Sequence, residues 1–309
     1  MANYLMDDRP NRHRVTALVI CFLFLVVVAA NLCAQQSEET KPSKSCLWVI
    51  ETTSNRVFLM GSLHVLKSSA YPLAAEIGRA YASSQRLVFE MDIGAMMDPA
   101  IQAKMLELGV YPAGQDLFQN ISEGTRKDLD NKLKKLGLPP AYFSRFKPWF
   151  LAVTLTTLEL QRLGFNPLYG IDIHFYNKAK TDGKELAYLE SVEYQLNLLG
   201  SMAASDQKSL LNQTLKDLEI SAQLADDMMA AWQNGDADKL YELLFKSFEG
   251  HPAIEDRLLT QRNKDWILKI EEMLGKSKNT MVIVGAGHLI GPEGIVELLR
   301  QKGYTVKQK

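Results

Sequence analysis

Apolar positions form short β-like runs near both ends of the chain and recur at helical spacing between them. "LWVIET" and "RVFLMGS" are runs rich in β-branched and aromatic residues, divided by "TSN", and predict a hairpin. "RLVFEMD", Arg86 to Asp92, predicts another buried strand, and "YPLAAEIGRAYASS" before it has helical spacing with a proline near its start. In "EGTRKDLDNKLKKLGL", Leu129, Leu133 and Leu136 define a helix face that stops at Gly137, ahead of Pro139-Pro140. "PWFLAVTLTTLELQRLG" opens on Pro148 and closes on Gly164, the proline-first, glycine-last asymmetry of a helix. "GIDIHFYNKAKTDG" predicts a further helix, and "ELAYLE", Glu185 to Glu190, a short strand. Helical patterns then follow one another from Glu193 to Leu274, and "NTMVIVGAGHLIGPEGIVELLRQKGYTV" reads as strand, loop, helix and strand. The expected fold class is α/β: a mixed β-sheet formed by N- and C-terminal strands, with a long helical insertion over about 100–180 and 193–274.

Composition adds a core but no polyelectrolyte partner. Hydrophobic residues make up 47% of the 309 and charged residues 23%, with a net charge of −1. That balance asks for no nucleic acid, and no basic run interleaved with aromatics occurs. The N-terminus stands apart. Arg9, Arg12 and Arg14 precede an apolar stretch from Ala17 to Ala30, and Ala34 offers a small residue for cleavage. This is the pattern of a secretory signal peptide over residues 1–34, followed by a polar, flexible leader over 35–45 and one domain over 46–309. The apolar stretch is shorter than a membrane-spanning helix requires. The expected location is therefore periplasmic or extracellular, with membrane attachment through residues 17–30 only if that segment is retained. A lipoprotein signal is disfavoured, because Leu32 stands before Cys33 where a small residue belongs. Cleavage would remove Cys21 and Cys33 and leave Cys46 alone, so no intramolecular disulfide is available.

Candidate chemistry falls at the strand ends. "FLMGS" runs into His64, "LVFE" ends at Glu90, "LAYLE" ends at Glu190, and "MVIVGAG" runs into His288. Gly61 and Gly285 each precede a histidine by three residues, more than two hundred residues apart. In open α/β sheets, ligands bind beyond the carboxyl ends of the strands. If these strands are parallel neighbours, His64, His288, Glu90 and Glu190 face one crevice. Two imidazoles with a carboxylate suit a divalent ion such as zinc, manganese or cobalt. Gly285 and Gly287, lacking Cβ, let the backbone approach a ligand closely. Each group also has a structural reading: a hydrogen-bonded core or loop histidine, or a carboxylate in a cap or ion pair.

Arg262 lies on the apolar stripe Ile254, Leu258, Arg262, Trp266, Ile270. A guanidinium there snorkels, pairs with a buried glutamate, or binds a carboxylate or transition-state oxyanion. Asp172 and His174, two apart on one helix, do not face the same way, which favours a structural reading unless Asp172 alone points inward. His13 belongs to the export segment, and His251, before Pro252, reads as a loop residue.

These residues together carry a likeness. "LWVIETTSNRVFLMGSLHVL", "LVFEMD", "FKPWFLA", "YGIDIHFYNKAKTDGKELAYLES", Arg262-Asn263 and "VGAGHLIGPEGIVELLRQKGY" resemble, in order and character, the TraB/GumN family, over about Leu47 to Tyr304. That family is related to the Tiki proteins, metal-dependent proteases that act on Wnt. The resemblance implies a single α/β domain with both Gly-x-x-His histidines and the strand-end glutamate around one site. It implies His64, Glu90 and His288 as metal ligands or catalytic residues, and Arg262 as a neighbour of the site. The expected function is an exported metal-dependent hydrolase, peptidase-like, acting on a peptide or protein substrate. In that scheme Glu90 and Arg262 are catalytic, His64, His288 and Glu90 hold the metal, and Glu190, Gly285 and Gly287 contact substrate. The alternative is a non-enzymatic envelope protein that captures peptide, haem or metal in the same crevice.

Overall fold

The computed structural model describes residues 44–219, 221–245 and 252–309. The segment expected to direct export, with its expected cleavage position, the expected leader as far as residue 43, and His13 and His251 lie outside the described residues. Strands β1 (Leu47–Glu51), β2 (Arg56–Ser62), β3 (Arg86–Phe89), β4 (Glu185–Tyr188), β5 (Thr280–Gly285) and β6 (Val306–Gln308) form a six-stranded mixed sheet. The order is β4-β3-β5-β2-β1-β6, so the C-terminal β5 lies between the N-terminal β3 and β2, with the C-terminal β6 at one edge and β4, from mid-chain, at the other. β4, β3, β5 and β2 are mutually parallel, while β1 and β6 are antiparallel additions at one edge. β1 and β2 make the expected hairpin, closed by Thr52, whose N–H donates to Asn55 O at 2.9 Å.

β5 is central and buried on both faces, which is why it reads as a nearly unbroken apolar run rather than an alternation. The strands are shorter than their sequence runs. β3 stops at Phe89 and β4 at Tyr188, so Glu90 and Glu190 stand just beyond the ladder rather than in it.

The longer helices, with the single turn after β5, are α1 (Ala75–Ser83), α2 (Pro99–Gly109), α3 (Glu123–Leu136), α4 (Pro148–Arg162), α5 (Ile171–Thr181), α6 (Val192–Gly200), α7 (Ala204–Asp217), α8 (Ser221–Gln233), α9 (Ala237–Phe245), α10 (Gln261–Leu274), α11 (Ala286–Leu289) and α12 (Ile295–Gln301). Local signals start and stop them. Asp98, Ser122 and Ser191 accept hydrogen bonds from early amides of α2, α3 and α6, and Gly137 ends α3 in the left-handed region at φ 69°. A π-helical turn, Asp256–Thr260, runs directly into α10 ahead of Arg262. The segment after β5, expected as a loop, coils at once into α11, and His288 sits on that turn.

Two apolar cores result. One packs both faces of the sheet with α1, α5, α10 and α12 residues such as Phe175, Trp266 and Leu299. The other is purely helical, built around Leu129, Phe150, Leu155 and Leu211 of α3, α4 and α7, and includes Leu196 of α6. The C-terminal ends of the parallel strands open beside α6, where the helical layer meets the sheet.

Candidate functional site

Because β2, β5 and β3 are adjacent and parallel, residues that follow them emerge on one edge. His64 follows β2, Glu90 follows β3, Glu190 follows β4, and α11 after β5 carries His288. Glu190 N–H donates to Glu90 O at 2.7 Å and holds the two strand ends together. The meeting point is Gly285. A Cβ built there would lie 3.3 Å from Glu90 Oε1, 3.5 Å from His64 Nε2 and 3.6 Å from His288 Cδ2. His288 Nε2 is 3.8 Å from Glu90 Oε1. His288 is buried and Glu90 largely covered, whereas the His64 side chain is 66% exposed and marks the open side.

Donor and acceptor bookkeeping fixes the protonation of His288. Arg262 Nη1, which can only donate, lies 3.0 Å from His288 Nε2, so that nitrogen is the acceptor. The proton is therefore on Nδ1, 2.6 Å from Asn263 Oδ1, and Asn263 turns its amide nitrogen to Glu293 O at 2.8 Å. Burial lowers the His288 pKa to about 3, which keeps the ring neutral. His64 is held differently: its Nδ1 faces Asp172 Oδ2 at 2.9 Å, and Asp172 Oδ1 accepts from Ser62 Oγ. The Asp172 carboxylate, against the opposing effect of desolvation, raises the His64 pKa. Burial by itself would raise Glu90; the cationic Arg262 and His64 beside it, with the Gly285 N–H at 2.7 Å from Oε1, outweigh it and hold the carboxylate at about 2.

Arg262 is a hub. Its Nε donates to Glu190 Oε1 at 2.9 Å, Nη2 to Glu90 Oε2 at 2.7 Å and to Glu190 Oε2 at 2.8 Å, and Nη1 to Leu258 O at 2.9 Å and to His288 Nε2. All five N–H groups of the guanidinium are thus engaged within the protein. Gln195 Nε2 donates to Glu90 Oε2 and Glu190 Oε2, each at 3.1 Å, and Trp266 Nε1 to Glu190 Oε1 at 2.9 Å. Trp266 also packs its ring under the Arg262 guanidinium, 4.7 Å from its centroid, and against His288.

The structure brings His64, Glu90, His288, Arg262 and Gly285 together. Glu190 belongs to the same network but spends both oxygens on Arg262, Gln195 and Trp266. Gly287 points elsewhere: a Cβ there would meet Leu244 and Leu259 at 3.9 Å. A side chain there would be accommodated in ordinary contact and would not enter the centre. Of Asp172 and His174, Asp172 alone turns inward, while the His174 ring packs at a tilt against Tyr71 with ring centroids 5.1 Å apart. Sequence reasoning left out Ser62, Gln195, Asn263 and Trp266. Asn263 and Trp266 follow Arg262 on α10; the Arg262-Asn263 pair and the apolar stripe through Trp266 were legible in the sequence, but not what these side chains would bond.

The donor set can be tested against a divalent ion. Two imidazole nitrogens and a carboxylate oxygen suit zinc, manganese or cobalt, and each imidazole has its outer nitrogen anchored by a second group, as metal-binding histidines do. His64 Nε2 and Glu90 Oε1 face the centre, whereas His288 Nε2 is engaged by Arg262. Among the described residues, no group of three or more His, Cys, Asp or Glu side chains is placed so that it could hold a metal ion. The residues fit an ion in the type of donor they offer, and the Arg262 contact would have to be released before His288 could join.

Comparison with known proteins places the chain. It is 29% identical over 252 residues to uncharacterized protein YbaP of Escherichia coli (strain K12), covering 81% of this chain and 90% of that protein. It is 23% identical over 327 residues to metalloprotease TIKI2 of Danio rerio, covering 86% of this chain and 61% of that protein. The metalloprotease TIKI homolog of Nematostella vectensis is 21% identical over 336 residues, covering 88% of this chain and 69% of that protein. No solved structure matches. The model of the TraB/PrgY/gumN family matches residues 46–308, every strand and helix described above, and the chain belongs to that family.

Proposed function

We propose that this protein is an exported metal-dependent hydrolase that cleaves peptide or protein substrates. The observation that carries the reading is the convergence of His64 Nε2, His288 and the ionised Glu90 on the bare Cα of Gly285. The relatives named metalloproteases support hydrolysis as the reaction class.

His64 and Glu90 would hold a divalent ion, zinc, manganese or cobalt, with His288 as the third ligand once Arg262 Nη1 withdraws. Such an ion polarises a substrate carbonyl and brings the pKa of water toward 7. Glu90 has Oε2 pinned by Arg262 and Gln195, which leaves Oε1 at the centre as ligand or as acceptor for a proton from the attacking water. Arg262 is a positioning residue in this reading. Its Nε and Nη2 donors are spent on Glu190 and Glu90, so that edge of the guanidinium fixes the carboxylate rather than touching an oxyanion. Substrate enters on the exposed His64 side, and Gly285 keeps the space between the three groups free.

The test uses full-length protein expressed with its export segment. Fractionation and N-terminal sequencing are expected to find it outside the cytoplasm beginning at Gln35. The purified protein is offered a defined peptide mixture and products are read by mass spectrometry. Cleavage is expected to stop on chelation, to return with zinc, manganese or cobalt, and to be absent in His64→Ala and His288→Ala variants that keep the wild-type circular dichroism. Full turnover in either variant or in metal-free protein overturns the reading. Tight peptide capture with no cleavage product replaces it by the envelope binding protein.

A further inference from the structure

His64 differs from every other group at the centre in being exposed, and an exposed side chain keeps one rotamer only if something outside it is rigid. The structure supplies such a support from a separate part of the chain. The backbone after β2 is clasped by the segment Asn166–Asp172, which leads into α5. Leu66 and Asn166 exchange both backbone hydrogen bonds, at 3.4 and 2.8 Å, and Ile171 N–H donates to Leu63 O at 3.1 Å. Gly170 lies against the His64 carbonyl so closely that a Cβ there would collide with backbone His64 O and, at 2.8 Å, with His64 C. Asp172, the second residue of α5, then reaches back over this junction. One oxygen takes the Ser62 hydroxyl at the end of β2, and the other faces His64 Nδ1 at 2.9 Å. Clamping the backbone on both sides and the ring at Nδ1 leaves Nε2 one direction to face, toward Glu90 Oε1 and Gly285.

We infer that Asp172 is a positioning residue for His64, and that Gly170 and Asp172 act as one clasp that aims His64 Nε2 into the centre. The role deepens the hydrolase reading and rests on it for its use in turnover, but the aiming itself is a property of the protein alone. His288 needs no such clasp, because burial under Trp266 and the Asn263–Glu293 chain already fix it. The two histidines of the paired Gly-x-x-His motifs are therefore mechanically unlike: one is set by packing, the other by a latch that a single substitution can open.

The experiment compares wild-type protein with Asp172→Ala, Asp172→Asn and Gly170→Ala. Proton–nitrogen correlation spectra of the imidazoles, recorded on metal-free protein, report whether the His64 Nδ1 proton is held or exchanges with water. In wild-type protein it is expected to exchange slowly. In Asp172→Ala it is expected to exchange at least tenfold faster, with the His288 signals unmoved. Asp172→Asn, which keeps an acceptor oxygen, is expected to restore slow exchange in part. Gly170→Ala is expected to shift the His64 signals without touching Asp172 itself. Where peptide hydrolysis is measurable, Asp172→Ala is expected to lower kcat at least tenfold with KM changed less than threefold. An unchanged His64 proton in Asp172→Ala overturns the clasp. So does simultaneous loss of the His288 signals and of the unfolding midpoint, which marks a purely structural role. Absence of hydrolysis in wild-type protein with the spectral differences intact removes the hydrolase reading and leaves the clasp standing.

Discussion

Replacing Arg262 with methionine removes the guanidinium that Glu90 and Glu190 share. The guanidinium sits between two carboxylates whose side chains are 13% and 7% exposed, Glu90 and Glu190. Removing one partner of a buried ion pair leaves charge with neither water nor counterion, at a cost of about 3–5 kcal/mol. The geometry gives an independent check. Both carboxylates accept from the same Gln195 nitrogen at 3.1 Å each. The two oxygens are therefore no more than about 6 Å apart, and at an effective dielectric of about 20 their repulsion is about 3 kcal/mol. Methionine keeps most of the aliphatic volume against Trp266, so the loss should be electrostatic rather than a packing defect. Urea unfolding followed by tryptophan fluorescence at neutral pH is expected to show 3–5 kcal/mol of destabilisation at an unchanged m-value. Adding Glu190→Gln is expected to return about 2–3 kcal/mol, the repulsion between the two carboxylates. A single-variant loss under about 1 kcal/mol, the size of an exposed pair, would refute the claim that Arg262 neutralises a buried carboxylate pair. So would a double variant no more stable than the single one.

Gly285→Ala should fold, since φ −50° and ψ 135° suit alanine, and keep its thermal midpoint within a few degrees; the added methyl, 3.3–3.6 Å from Glu90, His64 and His288, is expected to abolish peptide hydrolysis, and unchanged turnover would count against the centre proposed for it. A second buried pair, Lys132 with Glu159 at 3.2 Å, ties α3 to α4 in the helical core. Arg162, against the opposing effect of burial and with help from Lys132 and Ser221, holds Glu159 at about 2 rather than 4.5. A carboxyl depressed in the folded state stabilises above its unfolded pKa, so up to about 3 kcal/mol should be lost as pH falls from about 4.5 toward 2. Urea midpoints across that range should show the slope, and Glu159→Gln should flatten it while lowering stability at neutral pH. Cys46 is buried with its thiol pushed up to about 12 by desolvation, so iodoacetamide should leave it unlabelled in folded protein and label it in urea, as read by mass spectrometry.

Local chemistry made much of the fold legible. The hairpin, the buried run of β5, and the proline and glycine stops of α3 and α4 are short-range signals, written in side-chain period and backbone freedom. The same signals put His64, Glu90, Glu190 and His288 at strand ends, because an apolar run that stops must stop at something polar. They overran the end of β3 by three residues and that of β4 by two, and took α11 for a loop, since a single turn of helix has no period to read.

Local signals could not assign partners. That Arg262 stood on an apolar stripe was evident, but whether it snorkelled, paired or faced a ligand depended on two glutamates 72 and 172 positions away. Asp172 and His174 look equivalent in sequence, and only the seating of α5 against the end of β2 sends one to His64 and the other to Tyr71. Gly285 and Gly287 look equally bare, yet one opens on the centre and the other on Leu244 and Leu259. The sequence alone determined which elements form and which ionisable residues end them, because those follow from the few residues on either side. The strand order β4-β3-β5-β2 decided that these ends share one edge, and side-chain packing across it decided which donor meets which acceptor. Those outcomes come from contacts between residues far apart in the chain, on which no local pattern bears.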